Sequence, residues 1–184
     1  MSWYCDSAPG HPWHGPYHER EYGFPVGDDR VLFERLCLEI FQAGLSWLTV
    51  LKKREAFSAA FANFDIATVA AFGEADRARL MADAGIVRNR LKIDAVIHNA
   101  NAILDLQHEY GSFAAWIDRN HPRDLKAWIK LFKTRFRFVG GEILGEFLMS
   151  IGYLPGAHRE DCPVFAEIAK LEPAWARKEK RQGR

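Results

Sequence analysis

At 184 residues the chain is long enough to bury a substantial interior, as one domain or as two lobes sharing a core. Its 48% hydrophobic and 27% charged residues are ordinary for a globular protein, and a net charge of +1 gives no global pull toward nucleic acid or membrane, so any anionic partner must be met by local basic clusters. No apolar run reaches the roughly 18 residues of a membrane span, no secretory leader opens the chain, and an odd set of cysteines (Cys5, Cys37, Cys162) argues against a disulfide framework, which together read as cytoplasmic.

Residues 1–27 are rich in Pro, Gly, His and aromatics and show neither helical nor strand periodicity. They are expected to be irregular, yet they carry too many aromatics for a disordered tail, so something must hold them down. Two amphipathic helices follow, Asp28 to Ala43 and Ser46 to Phe61. In the first, Val31, Leu32, Leu36, Ile40 and Ala43 recur at helical spacing. Gly44 can end that helix, Ser46 can cap the next, and Trp47 then stands in its first turn. Glu39 and Trp47 are thereby brought to one helix-helix corner. Two readings stay open there: a functional carboxylate beside an indole, or Glu39 paired with Arg35 on a wetted face and Trp47 in the core.

Further helices are expected over Ile66 to Phe72, Glu74 to Ala82, Asn89 to His108, Ser112 to Arg119, Asp124 to Phe132 and Glu142 to Ile151, with a last helical stretch ending at Leu171. The charged residues 172–184 are expected to fray. No segment alternates with period two between turns. The predicted class is all-α, with many short helices joined by tight glycine turns.

Three constellations can carry chemistry. His158 and Cys162 are spaced i, i+4, and Cys5 and His18 lie in the N-terminal segment; two thiolates and two imidazoles are the donors of a closed tetrahedral zinc site, although His11 and His14 compete for the same role. Basic residues gather as Lys52, Lys53 and Arg54, as Arg88, Arg90 and Lys92, and as Lys130, Lys133, Arg135 and Arg137, where they suit phosphate contact or are simply solvated helix faces. In FKTRFRFVGG the basic residues alternate with aromatics before Gly140 and Gly141, so Phe136 and Phe138 are expected to anchor a turn while Arg135 and Arg137 face outward. Finally, Trp3, Tyr4, Trp13, Tyr17, Tyr22 and Trp47 supply aromatic planes that can hold a cationic ring or can be core.

The run LEIFQAGLSWLTVLKKREAF from Leu38, the segments YHEREYGFP from Tyr17 and AGIVRNRLKI from Ala84, the FRFVG turn and the Cys5, His18, His158, Cys162 quartet together resemble the DNA-3-methyladenine glycosylase I family, in the same order and from Cys5 to Cys162. The resemblance implies a multi-helix helix-hairpin-helix glycosylase fold, its N- and C-terminal segments joined by one structural zinc per chain at Cys5, His18, His158 and Cys162. It implies Glu39 as the catalytic carboxylate, Trp47 and Tyr17 around an extruded 3-methyladenine with His14 at a further pocket position, and Lys133, Arg135, Arg137, Gly140 and Gly141 on the DNA backbone. The activity implied is monofunctional hydrolysis of the N-glycosidic bond in alkylated double-stranded DNA, by a monomer with no membrane association. The chain departs from the family pattern at Ser7 and His14, where aromatics are usual, and at Arg135 and Glu142 in the hairpin. The alternatives are a zinc-stabilised protein that recognises damaged DNA without catalysis and a helical protein-interaction module.

Overall fold

The computed structural model describes residues 4–177, and among them it contains only helices and turns. In chain order the helices are α1 (Tyr4–Ser7), α2 (His14–Arg20), α3 (Asp29–Gln42), α4 (Trp47–Ala60), α5 (Ile66–Ala70), α6 (Glu74–Ala82), α7 (Arg90–Tyr110), α8 (Phe113–Asn120), α9 (Leu125–Phe132), α10 (Gly141–Ser150) and α11 (Pro163–Lys170), with short 3-10 turns at Ala62–Phe64 and Ala174–Ala176. The all-α expectation holds, and the helix starts follow from capping chemistry. Asp28, Ser46, Asp65, Asn89, Ser112 and Asp124 each precede a helix and accept a hydrogen bond from a backbone N–H of its first turn. Asp29 adds a cap across space: its carboxylate accepts from the N–H groups of Phe113 and Ala114 at 2.8 and 2.9 Å, fixing α8 against the start of α3.

Helix α3 is the centre of the packing, touching α4, α7, α8 and α10. Nine consecutive or near-consecutive residues from Leu32 to Phe41 are buried, Arg35 and Glu39 among them. A helix enclosed on all sides has no wetted face, so the reading of Glu39 as a surface partner of Arg35 is corrected. Arg35 instead reaches back to the Glu21 carboxylate at 3.0 Å.

The corner after α3 is built as the sequence requires. Gly44 sits at φ +85, a conformation that a side chain would strain, and the chain turns there into the Ser46 cap. Lys92 closes the same corner from α7. Its ammonium donates to the carbonyls of Ala43 and Phe41 at 2.7 and 3.2 Å, and burial lowers its pKa. These carbonyls at the end of α3 have no intrahelical donor, so a buried lysine is well matched to them. The expectation that Lys92 joins a phosphate-binding cluster is therefore corrected. Arg90 is likewise held by Glu74 and Asp94, Arg54 by Glu21 and Glu34, and Lys53 by the carbonyls of Ala84 and Gly85.

Two further expectations change. Residues 1–27 are not uniformly irregular: α1 and α2 form inside them, with Cys5, Tyr17 and His18 buried. At the other end, residues 172–177 are ordered, with Ala174 buried and Trp175 packed against Phe165 at 5.7 Å between ring centroids, while the remainder of the predicted frayed tail and Trp3 lie outside the described residues. Both segments lack a long apolar periodicity, and side-chain clustering substitutes for it.

Candidate active site and metal centre

Tyr4, Tyr17, Tyr22, Glu39, Gln42, Trp47, Glu142 and Glu146 line one cleft of about 480 Å³. Four segments meet there: α1 and α2 with the turn after them, α3, the start of α4, and α10. Glu39 is 5% exposed and has no hydrogen-bond partner among the described residues. Burial, and then the negative charge of Glu146, push its pKa up to about 8, with Arg35 acting in the opposite direction. A carboxyl in this state is mostly protonated at neutral pH and becomes an anion when a cation arrives beside it.

Aromatic rings form the walls. The Tyr17 and Trp47 centroids are 5.1 Å apart with planes inclined by 56°, and Tyr17 and Tyr22 are 5.6 Å apart. The Tyr17 hydroxyl and the Trp47 indole nitrogen are buried without a partner among the described residues. Polar atoms in that condition are costly unless a bound group or water completes them, which marks the cleft as built for an occupant. Behind Tyr17, the Arg35 guanidinium lies 5.3 Å from the ring centroid, and its partner Glu21 is also gripped by Arg54 at 2.8 and 2.9 Å. This ion network fixes the wall from the side away from the cleft.

The second cluster lies beside the first. Cys5, His18, His158 and Cys162 are all buried, and one donor atom of each falls within 4.8 Å of the others. The Cys162 sulfur is 3.6 Å from His158 Nδ1 and 3.8 Å from His18 Nε2, and the Cys5 sulfur is 3.6 Å from His158 Nδ1. Tetrahedral ligands at ordinary metal-sulfur and metal-nitrogen lengths are separated by roughly 3.4 to 3.8 Å, so the donor set fits a closed four-coordinate ion. His158 Nε2 donates to the Tyr22 carbonyl at 2.7 Å, leaving Nδ1 free to ligate. Burial lowers the pKa of both His18 and His158, which favours the neutral, metal-binding form. Gly23 makes the close approach possible: a Cβ there would lie 2.9 Å from the Ala157 Cβ and 3.3 Å from the His158 ring. Because Tyr4 directly precedes Cys5 and the Tyr22 carbonyl accepts from His158, the cluster also positions two walls of the cleft.

The third region is the turn between α9 and α10. Asn99, fully buried on α7, donates to the Arg137 carbonyl at 3.1 Å and accepts from the Arg137 N–H at 2.8 Å, while His98 Nε2 lies 3.0 Å from the Arg135 carbonyl. Phe136 and Val139 are buried beneath this turn, whereas Phe138 is 40% exposed at φ +57. Phe138 is thus not the anchor expected; its backbone conformation turns it outward and Val139 takes the core position. Lys133 and Arg137 are exposed, but Arg135 is engaged by Glu109 at 2.7 and 2.8 Å. Gly140 and Gly141 open α10, where backbone N–H groups are unpaired.

A model of the methyladenine glycosylase family matches residues 7–128, which include Tyr17, Glu39 and Trp47. The chain belongs to the methyladenine glycosylase family. DNA-3-methyladenine glycosylase 1 of Escherichia coli (strain K12) is 40% identical over 167 residues, covering 80% of this chain and 89% of that protein. DNA-3-methyladenine glycosylase of Haemophilus influenzae is 37% identical over 177 residues, covering 83% and 95%. The structure of 3-methyladenine DNA glycosylase I from Staphylococcus aureus superposes with a TM-score of 0.79 at 33% identity, covering 87% of this chain and 95% of that one.

Sequence reasoning for this family member brought Tyr17, Glu39 and Trp47 together, and the structure places all three in the cleft. His14 is not among the lining residues. Its Nδ1 lies 2.9 Å from the Tyr4 hydroxyl, so it reaches the cleft through Tyr4. Trp13, one of the aromatic planes the sequence supplies, lines a separate groove with Pro12 and Pro16, and Ser7 is exposed. Gln42 and Glu146 are cleft residues that the sequence reading did not nominate. The i, i+4 spacing of Glu142 and Glu146 on one helix was the available signal.

Proposed function

We propose that this chain excises 3-methyladenine from alkylated DNA, hydrolysing the N-glycosidic bond and leaving an abasic site. The observation that carries the proposal is a buried carboxyl, Glu39, without a hydrogen-bond partner in the same cleft as two aromatic side chains whose polar atoms also lack one. A flipped methylated adenine has flat faces for Trp47 and Tyr17, a donor edge for Glu39 and a positive charge. Stacking and cation-π attraction by Trp47 contribute about 1 to 2 kcal/mol. As the cation enters, Glu39 gives up its proton to solvent through the cleft mouth, and the resulting carboxylate stabilises the charged base. Methylation at N3 already weakens the glycosidic bond, so the base departs without a strong general acid, and water attacks the sugar carbon. No lysine of the cleft stands ready to act as nucleophile, which supports a hydrolase without strand cleavage.

The remaining assignments follow the geometry. Lys133, Arg137 and the N–H groups at Gly140 and Gly141 are offered for the DNA backbone as a helix-hairpin-helix element, with Arg135 available once it exchanges Glu109 for phosphate. Cys5, His18, His158 and Cys162 would hold one zinc ion, which when bound would crosslink the N-terminal helices to the segment before α11 and supply no reactive position. No helix of the described residues is long and apolar enough to cross a membrane, and a cytoplasmic monomer acting on double-stranded DNA is the form proposed.

The deciding experiment is incubation of the purified protein with methylated duplex DNA and measurement of released base. Release of 3-methyladenine with the strands intact supports the reading. DNA binding without release above buffer would replace it with a damage-recognition protein that does not catalyse.

A further inference from the structure

The mouth of the cleft is acidic, which is unexpected beside a surface offered to phosphates. Glu142 and Glu146 stand one turn apart on α10, both exposed and both lining the cleft whose interior holds Glu39. The Tyr22 hydroxyl donates to Glu146 Oε2 at 3.1 Å, aiming that carboxylate across the opening. The interior shows independently that a ligand belongs there: Glu39 is buried without a hydrogen-bond partner, and the Tyr17 hydroxyl is 3% exposed at the residue level and equally unpartnered.

We infer that Glu146 is a specificity-determining residue, a second carboxylate that makes the cleft discriminate by charge and favours a cationic purine over an uncharged one of the same shape. Resting on the base-excision reading above, this assigns a role to a residue that neither the family likeness nor the sequence motifs single out. The electrostatic logic is a division of labour. With Glu39 holding its proton in the empty cleft, Glu146 is the carboxylate that carries the negative charge at the entrance: burial raises its pKa, the hydrogen bond from the Tyr22 hydroxyl acts in the opposite direction, and it is the charge of Glu146 that helps keep Glu39 protonated. An incoming cation is attracted before it reaches Glu39. An uncharged purine or a backbone phosphate gains nothing from the same field. Glu142, one turn closer to the hairpin, adds to it.

The test measures binding of two small molecules by quenching of tryptophan fluorescence at one fixed pH: the permanently cationic 3,9-dimethyladeninium ion and its uncharged 3-deaza counterpart. In Glu146→Gln the glutamine side chain still accepts the Tyr22 hydrogen bond, so the fold is retained, and an unchanged melting temperature checks this. The affinity for the cation is expected to fall roughly threefold to tenfold, as for one exposed charge, while that for the uncharged analogue stays within about twofold. Glu146→Asp should recover most of the lost ratio, and added salt should shrink the wild-type ratio toward that of the glutamine variant. An equal loss for both ligands, or an unchanged ratio, overturns the inference. Should wild-type protein release base from methylated DNA with the ratio unaltered by Glu146→Gln, only this inference fails; should wild-type protein bind neither purine, the base-excision reading fails and takes the inference with it.

Discussion

Tyr17 and Trp47 meet with ring centroids 5.1 Å apart and planes inclined by 56°, and the hydroxyl of one and the indole N–H of the other are both buried with no hydrogen-bond partner among the described residues. Such a pair is expensive to fold and useful only when something occupies the space beside it. Tyr17→Phe removes an unsatisfied buried hydroxyl, so stability should be unchanged or slightly higher, while base affinity falls by about 1 kcal/mol, roughly fivefold. Trp47→Ala should cost about 1 to 3 kcal/mol of base binding through lost stacking. Thermal melts together with titration of free 3-methyladenine check both; a Tyr17→Phe protein that is less stable and binds equally well would place the hydroxyl in an internal hydrogen bond instead.

Glu39→Gln should abolish most base release while leaving DNA binding intact, and it should also change the dependence of stability on pH. The folded pKa of Glu39 is raised to about 8 from an ordinary glutamate's 4.5, so the carboxyl's protonated state is the one the fold prefers. Its contribution is fully present below the unfolded value and is lost as pH rises through about 8, a change of up to about 5 kcal/mol in the low-exposure limit. The glutamine variant has no such loss. Its melting temperature should match the wild type near pH 5 and exceed it near pH 9; parallel curves across that range would show that Glu39 does not titrate as its burial requires.

The helices were largely legible because their signals are local. Asp28, Ser46, Asp65, Asn89, Ser112 and Asp124 announce their helix starts by residue type and position, and each does cap. Glu39 and Trp47 could be placed near one corner because Gly44 and Ser46 lie between them. What the sequence hid was the partnership of distant side chains. Lys92 looks like one more member of a basic cluster until α7 is seen to bring it under the carbonyls of Ala43 and Phe41. Asn99 is one polar residue on a long helix, and nothing local foretells its two bonds to Arg137. Phe138 resembles Phe136 in the alternation of the turn, but a positive φ reverses the direction of its side chain. Of the quartet, His158 and Cys162 carry a local signal in their i, i+4 spacing, but the choice of His18 over His11 and His14 rested on the family likeness, since all three lie in the same segment.

Cys162→Ala should lower the melting temperature and reduce bound zinc below one per chain. The four donors join α1 and α2 to the segment before α11, and with the ion absent two thiols and two imidazoles would remain buried together without the shared partner that crosslinks them. Chelation of the wild type should reproduce the effect, and because Tyr4 adjoins Cys5 with its ring against His18 and the Tyr22 carbonyl accepts from His158, base affinity should weaken as metal is withdrawn. Metal analysis alongside calorimetry is the check. A metal-free wild type that melts at the same temperature as the loaded protein would remove zinc from the structural account.

Asn99→Ala separates the shape of the turn between α9 and α10 from its charge. Asn99 satisfies both the N–H and the carbonyl of Arg137, and its loss leaves these two backbone groups without their buried partner, at a cost of about 1 to 3 kcal/mol in stability. The turn then samples other conformations and presents Arg137, Gly140 and Gly141 to the DNA backbone less often. No cation has been removed, so affinity for duplex DNA should fall while the slope of its logarithm against the logarithm of salt concentration stays the same. Arg137→Ala should do the converse: the fold is retained, affinity falls, and the slope decreases in magnitude by about 1, as expected for one phosphate contact. Equilibrium binding to an undamaged duplex across a salt series distinguishes the two. If Arg137→Ala leaves the slope unaltered, its guanidinium is not at the phosphates and the turn's role in binding must rest on the backbone N–H groups alone.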